Sequence, residues 1–278
     1  MGVHQMEIRV LVLGAVLIGL MALETRFWLR SPERVLRLKR WVENFIIFLL
    51  TVVLGQGLKE FLTPINWNFS LMGLLNETVV TLSCIQWCVE FILLDLYIYF
   101  WHVINHKVKY FWRFHQFHHL DSFMDATTAL RFHPGELVLS ALVKVGVVML
   151  LGISLSVLVV FETCVTLMAI IHHSNVWIPY NVEKWVGFVL VTPRHHQNHH
   201  SWILKETDSN YSVIFSFWDR LFKTRSEWVG PNLVTIGVPT HPESFKMNLW
   251  SQLKVGWQKV LPWPEDWLRR KNESHQVK

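Results

Sequence analysis

Long apolar runs alternate with shorter polar segments along the chain, and three of these runs predict membrane-spanning helices. They cover residues 8–24, 43–62 and 79–101. A helix of roughly 20 apolar residues crosses a hydrocarbon core of about 30 Å, so the runs have approximately the length that a span requires. The first run is a little short, and the third contains polar residues.

A fourth apolar stretch covers residues 137–171 and is broken at GISLS. It is too long for one span and barely long enough for two. We therefore expect a helical hairpin that dips into or just crosses the membrane and returns its C-terminal end to the side on which it began. The predicted fold class is all-α: an integral membrane helical bundle with about three transmembrane helices, this membrane hairpin and a cytosol-facing, histidine-rich helical cap.

The charges between the runs predict an orientation. The segment between the first two runs carries six basic residues, whereas residues 63–78 carry no Lys or Arg and one acid, Glu77. Because basic loops stay on the cytoplasmic side, we expect the N-terminus outside and the end of the third span inside. The basic residues are Arg26, Arg30, Arg34, Arg37, Lys39 and Arg40. The expected location is a bacterial inner membrane or the endoplasmic reticulum, with the site on the cytoplasmic face.

The composition agrees with a membrane protein, with 51% hydrophobic residues and a mean hydropathy of +0.28. The formal net charge of +5 comes from basic residues at the ends of apolar runs, which favours lipid headgroups over nucleic acid as the anionic partner. The three cysteines, Cys84, Cys88 and Cys164, all lie in apolar segments. This placement predicts neither a disulfide framework nor a zinc–thiolate site.

Histidine carries the main chemical signal, since twelve of the fifteen histidines lie between His102 and His200. His102 and His106 are four residues apart and share one face of a helix. An H-x-x-H-H spacing then occurs twice, at 115–119 and at 196–200, and each copy can divide its imidazoles between two metal ions a few ångströms apart. Neutral imidazole is a common ligand of iron, zinc and copper. The pattern predicts a multi-histidine site for two metals, in preference to satisfied interfacial histidines or a pH sensor.

The order of the motifs resembles the fatty acid hydroxylase superfamily, also called the sterol desaturase family, over about residues 40–225. The motifs are H-x-x-x-H, H-x-x-H-H, RFHPGE, HHSN, TP followed by the second H-x-x-H-H, then DSNY and WDRLFKT. The resemblance implies a membrane enzyme with a cytosol-facing dimetal centre that uses O2 and two externally supplied electrons to hydroxylate or desaturate lipid C–H bonds. The metal ligands it implies are His102, His106, His115, His118, His119, His173, His196, His199 and His200, together with His133. The motif FKT stands where the family often has FGT.

Several residues are expected to support the ligands without binding metal. Asp95 lies two helical turns before His102, where it either accepts an N–H from a ligand histidine or bonds to a neighbouring helix. Arg131 and Glu136 flank His133 and either form a solvated salt bridge or position its ring. The remaining supporting residues are His172, His195, Asp208, Asn210 and Tyr211.

The leading functional hypothesis is a membrane-bound, O2-dependent monooxygenase that hydroxylates a C–H bond of an acyl chain or sterol. Its expected cofactors are two iron ions, with zinc as the alternative in isolated protein, and O2. No G-x-G-x-x-G motif opens a helix after a strand, so the two electrons are expected from a separate protein or a diffusible reductant. A cytochrome b5-type haem site at HPGE is a weaker interpretation.

The alternatives are a desaturase with the same centre, a zinc-dependent membrane lipid hydrolase, and a metal carrier or sensor. Three regions are expected. Residues 1–78 would hold the N-terminal transmembrane helices and the basic loop, residues 79–225 the catalytic domain, and residues 226–278 a C-terminal cytoplasmic tail that is loose from Pro262.

Overall fold

The computed structural model describes residues 3–30, 34–62, 83–226 and 228–269. Over these ranges the chain folds into α-helices and short 3-10 turns, and its only β pairing is three isolated bridges. The all-α prediction is therefore confirmed.

Among the described residues, five helices are long and apolar enough to cross a membrane. The structure fits an integral membrane bundle. The sequence predicted three transmembrane helices and a hairpin, and the two helices of the hairpin are themselves long enough to be spans. The five helices are α1 (Val3–Arg26), α2 (Arg34–Leu62), α3 (Ser83–Lys107), α5 (Pro134–Leu151) and α6 (Leu155–His173).

The third predicted span corresponds to α3, which continues six residues beyond the predicted end at residue 101. His102 and His106 therefore belong to the same helix as the apolar run. Residues 79–82 and the predicted external loop at 63–78 lie outside the described residues.

The predicted hairpin is formed by α5 and α6, which contain 18 and 19 residues. At about 1.5 Å per residue each helix is roughly 27 Å long, so each has the length of a full crossing. The turn begins at Gly152, whose φ of 65° is the left-handed conformation that glycine adopts at helix ends. Beyond it, Glu90 of α3 accepts hydrogen bonds from the backbone N–H and the hydroxyl of Ser154, at 2.9 and 2.7 Å. This contact holds the end of the hairpin against α3.

Short helices form a cap at the histidine-rich end of the bundle. α4 (Lys109–His119) begins two residues after α3 ends. Its last six residues, 114–119, are all buried. The other cap helices are α7 (Tyr180–Val186), α8 (Pro193–His199), α9 (Leu204–Thr207), α10 (Phe217–Leu221) and α11 (Leu249–Val255).

A buried ion pair joins α2 to the cap. Arg40 donates two hydrogen bonds to Asp121, at 2.6 and 2.8 Å, and a third to Asp125 at 2.8 Å. Burial alone would raise the pKa of Asp121, but the Arg40 guanidinium holds it well below its usual range. Arg40, which the sequence analysis placed in a basic loop, is therefore a structural residue.

The C-terminal segment packs against the cap, contrary to the expectation of a loose tail. Nε1 of Trp263 donates to the carbonyl of Trp202 at 2.7 Å, and Trp263 also packs on the core cluster that contains Trp112 and Phe117. Tryptophan anchors the chain here because it buries a large ring while its N–H finds an acceptor. Residues 270–278 lie outside the described part of the chain.

Candidate metal centre

Two groups of buried histidines lie side by side at the capped end of the bundle. Within each group, one ring nitrogen from every member lies within 4.8 Å of those of the others. We call the first group the five-histidine cluster and the second the four-histidine cluster. The five-histidine cluster is His102, His106, His115, His119 and His199. The four-histidine cluster is His118, His173, His196 and His200.

Consecutive histidines enter different clusters. His118 and His119 separate in this way, and so do His199 and His200. Adjacent residues of an α-helix point about 100° apart, so an H-H pair at a helix end serves two neighbouring sites. The H-x-x-H-H spacing thus supplies both clusters from one short helix.

The ring nitrogens of the four-histidine cluster face one another. Nε2 of His173 lies 2.9 Å from Nε2 of His118 and 3.0 Å from Nε2 of His196. The Nε2 atoms of His196 and His200 are 3.2 Å apart. Two nitrogens that bind one first-row metal at about 2.1 Å and at a right angle lie about 3.0 Å apart, so these spacings match a shared ion.

The tautomers support the same conclusion. Nδ1 of His118 lies 3.1 Å from the carbonyl oxygen of Arg131, and Nδ1 of His173 lies 2.8 Å from that of Ala169. A carbonyl only accepts, so each Nδ1 carries the proton, and each neutral ring then presents a bare lone pair at Nε2. Two lone pairs at 2.9 Å cannot form a hydrogen bond. A cation among the four nitrogens satisfies all of them.

Acceptors also fix three rings of the five-histidine cluster. Nδ1 of His102 donates to the carbonyl of Tyr211 and Nδ1 of His199 to that of Ser209, both at 2.7 Å. Nδ1 of His115 lies 2.8 Å from the Glu136 carboxylate. Such partners fix the tautomer, orient the ring and raise its basicity toward a metal.

Several ring nitrogens of the five-histidine cluster are buried and have no hydrogen-bond partner among the described residues. Nε2 of His115 and of His199 is buried without a hydrogen-bond partner among the described residues, and both ring nitrogens of His106 and His119 share that condition. Buried polar atoms without a partner are costly, so they point to a bound group. An all-nitrogen donor set suits iron, zinc or copper, and the residues present therefore fit two metal ions.

Burial favours the neutral form of five histidines in the two clusters. It lowers the pKa of each well below the ordinary value, and the neighbouring imidazoles lower it further. A neutral imidazole can bind a metal, whereas a protonated one cannot. The residues concerned are His118, His119, His196, His199 and His200.

His133 is the one predicted ligand that the structure does not bring into either cluster. Its Nδ1 accepts from the N–H of Gly135 at 2.9 Å and so caps α5, while Nε2 lies 3.1 Å from the carbonyl of Leu253. Both ring nitrogens are already occupied. The HPG motif therefore marks a helix start, at which proline takes the first position.

Asp95 does not contact a histidine, so the first of its two interpretations is wrong. Its Oδ2 accepts from Nε1 of Trp218 at 2.7 Å and from the N–H of Phe215 at 3.4 Å. The carboxylate ties α3 to the segment that follows the last histidines, which is the second interpretation.

The remaining supporting residues surround the clusters. The His172 ring packs 4.1 Å from that of His196, and His195 pairs with the side-chain oxygen of Asn210 at 2.8 Å. Asn210, with a φ of 52°, also donates to the carbonyl of His195. Asp208 lies 3.7 Å from Nδ1 of His106. Tyr211 contributes its backbone carbonyl to His102, and its side chain is fully buried.

Sequence reasoning missed four of the five acceptors, namely the Glu136 carboxylate and the backbone carbonyls of Arg131, Ala169 and Ser209. Glu136 had been assigned to His133, although its carboxylate orients His115. Ser209 and Ala169 act through backbone carbonyls, which no residue type reveals. The only available signal was position: Ala169 precedes His173 by one helical turn, and Ser209 lies within the DSNY motif.

The profile of the fatty acid hydroxylase family matches residues 87–224, a range that contains both clusters. Residues 87–224 are therefore a fatty acid hydroxylase domain. This finding confirms the resemblance stated from the motifs.

Several curated relatives of the chain carry the names of hydroxylases or monooxygenases. It is similar to the alkylglycerol monooxygenase of Danio rerio, with 28% identity over 51% of this chain and 31% of the relative. It is also similar to the human cholesterol 25-hydroxylase, with 27% identity over 53% of each chain. The ornithine lipid hydroxylase of Rhizobium tropici is 26% identical over 55% of this chain and 47% of the relative. The chain thus spans about half or less of the length of these relatives, and no solved structure matches it.

Proposed function

We propose that this protein is a membrane-bound, O2-dependent monooxygenase that hydroxylates a C–H bond of a lipid at a histidine-ligated dimetal centre. The observation that carries the proposal is the convergence of nine buried imidazoles on two adjacent points within the family-matched region. When bound there, two iron ions would supply the activation of O2 and the oxidising power that an unactivated C–H bond requires.

The proposed ligands are the nine members of the two clusters, without His133. Their burial excludes water from the site, which protects a reactive oxidant from side reactions. The carbonyls of Tyr211 and Ser209 and the Glu136 carboxylate hold the rings of the five-histidine cluster in fixed tautomers. The number of nitrogen donors argues against a hydrolytic zinc site, which keeps few protein ligands and usually recruits a carboxylate base.

The substrate is proposed to be a lipid in the bilayer. α3 and α6 carry His102, His106 and His173 at the ends of apolar spans, so an acyl chain or sterol can reach the centre while its polar head stays at the interface. The names of the three relatives support this class, since they refer to an alkylglycerol, cholesterol and an ornithine lipid.

The centre is proposed to face the cytoplasm, because basic residues of the connection between α1 and α2 and of the first turns of α2 lie at the same end of the bundle as the cap. Arg30 donates to the carbonyl of Met124, and Lys39 donates to that of Phe245. A cytoplasmic site would receive its two electrons from a separate carrier protein or a diffusible reductant. We also propose that residues 79–225 form the catalytic unit.

The test is isotope incorporation. Full-length protein loaded with iron and reconstituted in vesicles of total membrane lipid would receive a one-electron reductant under 18O2. We expect a lipid product that is 16 Da heavier without isotope and 18 Da heavier with it. Loss of two hydrogens without added oxygen would identify the desaturase instead.

The matched control is His118→Ala, which should give no product under the same conditions. Product formed under N2, or with oxygen from labelled water, would contradict the proposal and favour hydrolysis.

A further inference from the structure

Two extended segments between the cap helices form a small antiparallel pair. The N–H of Val191 donates to the carbonyl of Ile214, and the N–H of Ser216 donates to that of Val189, both at 3.0 Å. The bridge between Leu190 and Phe215 lies between these bonds. We call residues 187–191 and 213–216 the inserted pair.

The inserted pair reaches far down α3, away from the histidines. Phe215 and Trp218 both donate to Asp95, which lies at the middle of the apolar span Cys84–Lys107. Asp95 precedes His102 by seven residues, and seven residues of helix measure about 10 Å. The contact point is therefore about 10 Å deeper in the bundle than the first predicted ligand.

Aromatic packing gives the same depth. The Phe215 ring packs 6.3 Å from that of Phe91, a residue one turn further from the histidines than Asp95. Ile214 belongs to the core cluster of Leu94 and Phe161, two residues within apolar spans. If α3 crosses the bilayer, the inserted pair lies at the depth of the acyl chains.

The outer surface around the inserted pair is apolar and exposed. Trp185 is 78% exposed, Phe188 61% and Leu221 62%. Val189 and Phe222 extend the same surface. We call these five residues the apolar rim.

The charges around the apolar rim favour a lipid neighbour. Within residues 180–190 and 213–223 the two acidic residues are buried and hydrogen-bonded: Glu183 to Arg194, and Asp219 to the backbone of Tyr211. Lys184 and Lys223 are exposed. Exposed lysines beside aromatic side chains suit anionic headgroups above a hydrocarbon layer.

We infer that the inserted pair is a re-entrant membrane element and that the apolar rim contacts lipid acyl chains beside α3. Non-helical backbone is tolerated at this depth only where protein satisfies its hydrogen bonds. The two segments satisfy part of these hydrogen bonds by pairing with each other. In addition, the hydroxyl of Ser216 donates to the carbonyl of Gly187, and the N–H of Phe215 donates to Asp95. A carboxylate in the middle of an apolar span thereby has a structural explanation.

The element is connected to the histidine clusters at both ends. Val191 leads directly into α8, which carries His196 and His199, and Val213 follows Tyr211, whose carbonyl holds His102. Insertion into the bilayer would therefore fix the position of both chain segments that supply or orient ligands. This inference does not depend on which reaction the centre performs.

The first test uses the unmodified full-length chain in vesicles of phosphatidylcholine and phosphatidylglycerol that carry a diazirine in one acyl chain. After irradiation, mass spectrometry of peptides should find residues 185–189 and 221–222 labelled as strongly as the peptide containing Leu11, an exposed residue of α1. Labelling of the Leu11 peptide without labelling of these two segments would overturn the inference, whether water or another protein covers the apolar rim.

The second test uses spin labels at single cysteines, in a chain in which Cys84, Cys88 and Cys164 are replaced by alanine. Phe188→Cys should show the high O2 and low nickel-chelate accessibility of Leu11→Cys. Glu243→Cys, an exposed cap position, is the aqueous control. Accessibilities at residue 188 that equal those at residue 243, in a variant with the parent melting temperature, would overturn the inference.

Discussion

At the scale of single residues, the clearest feature is that acceptors behind the imidazoles decide which ring nitrogen faces the centre of each cluster. Glu136 is the only side-chain acceptor in this role that we find among the described residues, and it holds His115. Changing such a partner typically lowers metal affinity about 10- to 100-fold. We expect this loss for Glu136→Ala, measured by competition with a chelator.

Glu136→Gln is the matched control, because its amide oxygen can still accept from Nδ1 of His115. We expect it to lose much less affinity than Glu136→Ala. Equal affinities in the alanine variant and the parent would show that the carboxylate does not position the ring.

Asp95 provides a second prediction at this scale. Asp95→Ala leaves the N–H groups of Trp218 and Phe215 without their acceptor, and a buried group without a partner costs about 1–3 kcal/mol. We expect a lower thermal midpoint for Asp95→Ala and a smaller decrease for Asp95→Asn, which keeps an acceptor oxygen. A chelator competition assay should give the parent metal affinity for Asp95→Asn, whereas a large loss there would restore the role of orienting a ligand histidine.

Spacing predicted that histidines gather at the cap, and the family resemblance supplied a ligand set that contains all nine histidines of the two clusters. The spacing within H-x-x-H-H repeats the helical turn, and helical geometry then separates neighbours such as His118 and His119. Spacing could not predict the partners, because Glu136 and His115 are 21 residues apart and the carbonyls carry no side-chain signal. His133, which was also included, lies outside both clusters, because in this fold the HPG motif marks a helix cap.

At the scale of elements, α11 closes the cap on the start of α5. A Cβ added at Gly256 would lie 2.6 Å from Nε2 of His133 and 2.9 Å from its Cδ2. Overpacking of this kind costs about 1–3 kcal/mol. We expect Gly256→Ala to lower the free energy of unfolding by that amount.

Gly230→Ala is the control for this prediction, since its Cβ would meet only Leu233 at 3.5 Å, an ordinary contact. Both variants would be compared by thermal unfolding in the same detergent. The same midpoint for the two variants would mean that α11 does not pack on His133 as the structure describes.

The lengths of the apolar runs predicted where the long helices lie better than they predicted how many helices cross the membrane. The break at GISLS predicted the turn of the hairpin, but 35 residues left open whether the hairpin dips into the membrane or crosses it. Both α5 and α6 are about 27 Å long, which is the length of a crossing. The extended segments around Leu190 and Phe215 carried no usable signal, since their pairing joins residues 25 positions apart. Their depth follows only from contacts with α3.

At the scale of the whole molecule, metal binding should stabilise the fold, because the ligands come from α3, α4, α6 and α8. A metal that binds only the folded state adds about 4 kcal/mol when its free concentration exceeds the dissociation constant about a thousandfold. A strong chelator should therefore lower the thermal midpoint of the parent protein. The double variant His118→Ala, His119→Ala should show no response, and an equal response in both proteins would mean that the chelator acts elsewhere.

The most direct test of the dimetal centre is the number of metal ions per chain in tag-free, detergent-purified protein. We expect about two iron ions in the parent. We expect loss of one site in His119→Ala, from the five-histidine cluster, and of the other in His118→Ala, from the four-histidine cluster. His241→Ala, outside both clusters, should retain both ions. Folded parent protein that holds almost no metal after growth with added iron would contradict the dimetal centre.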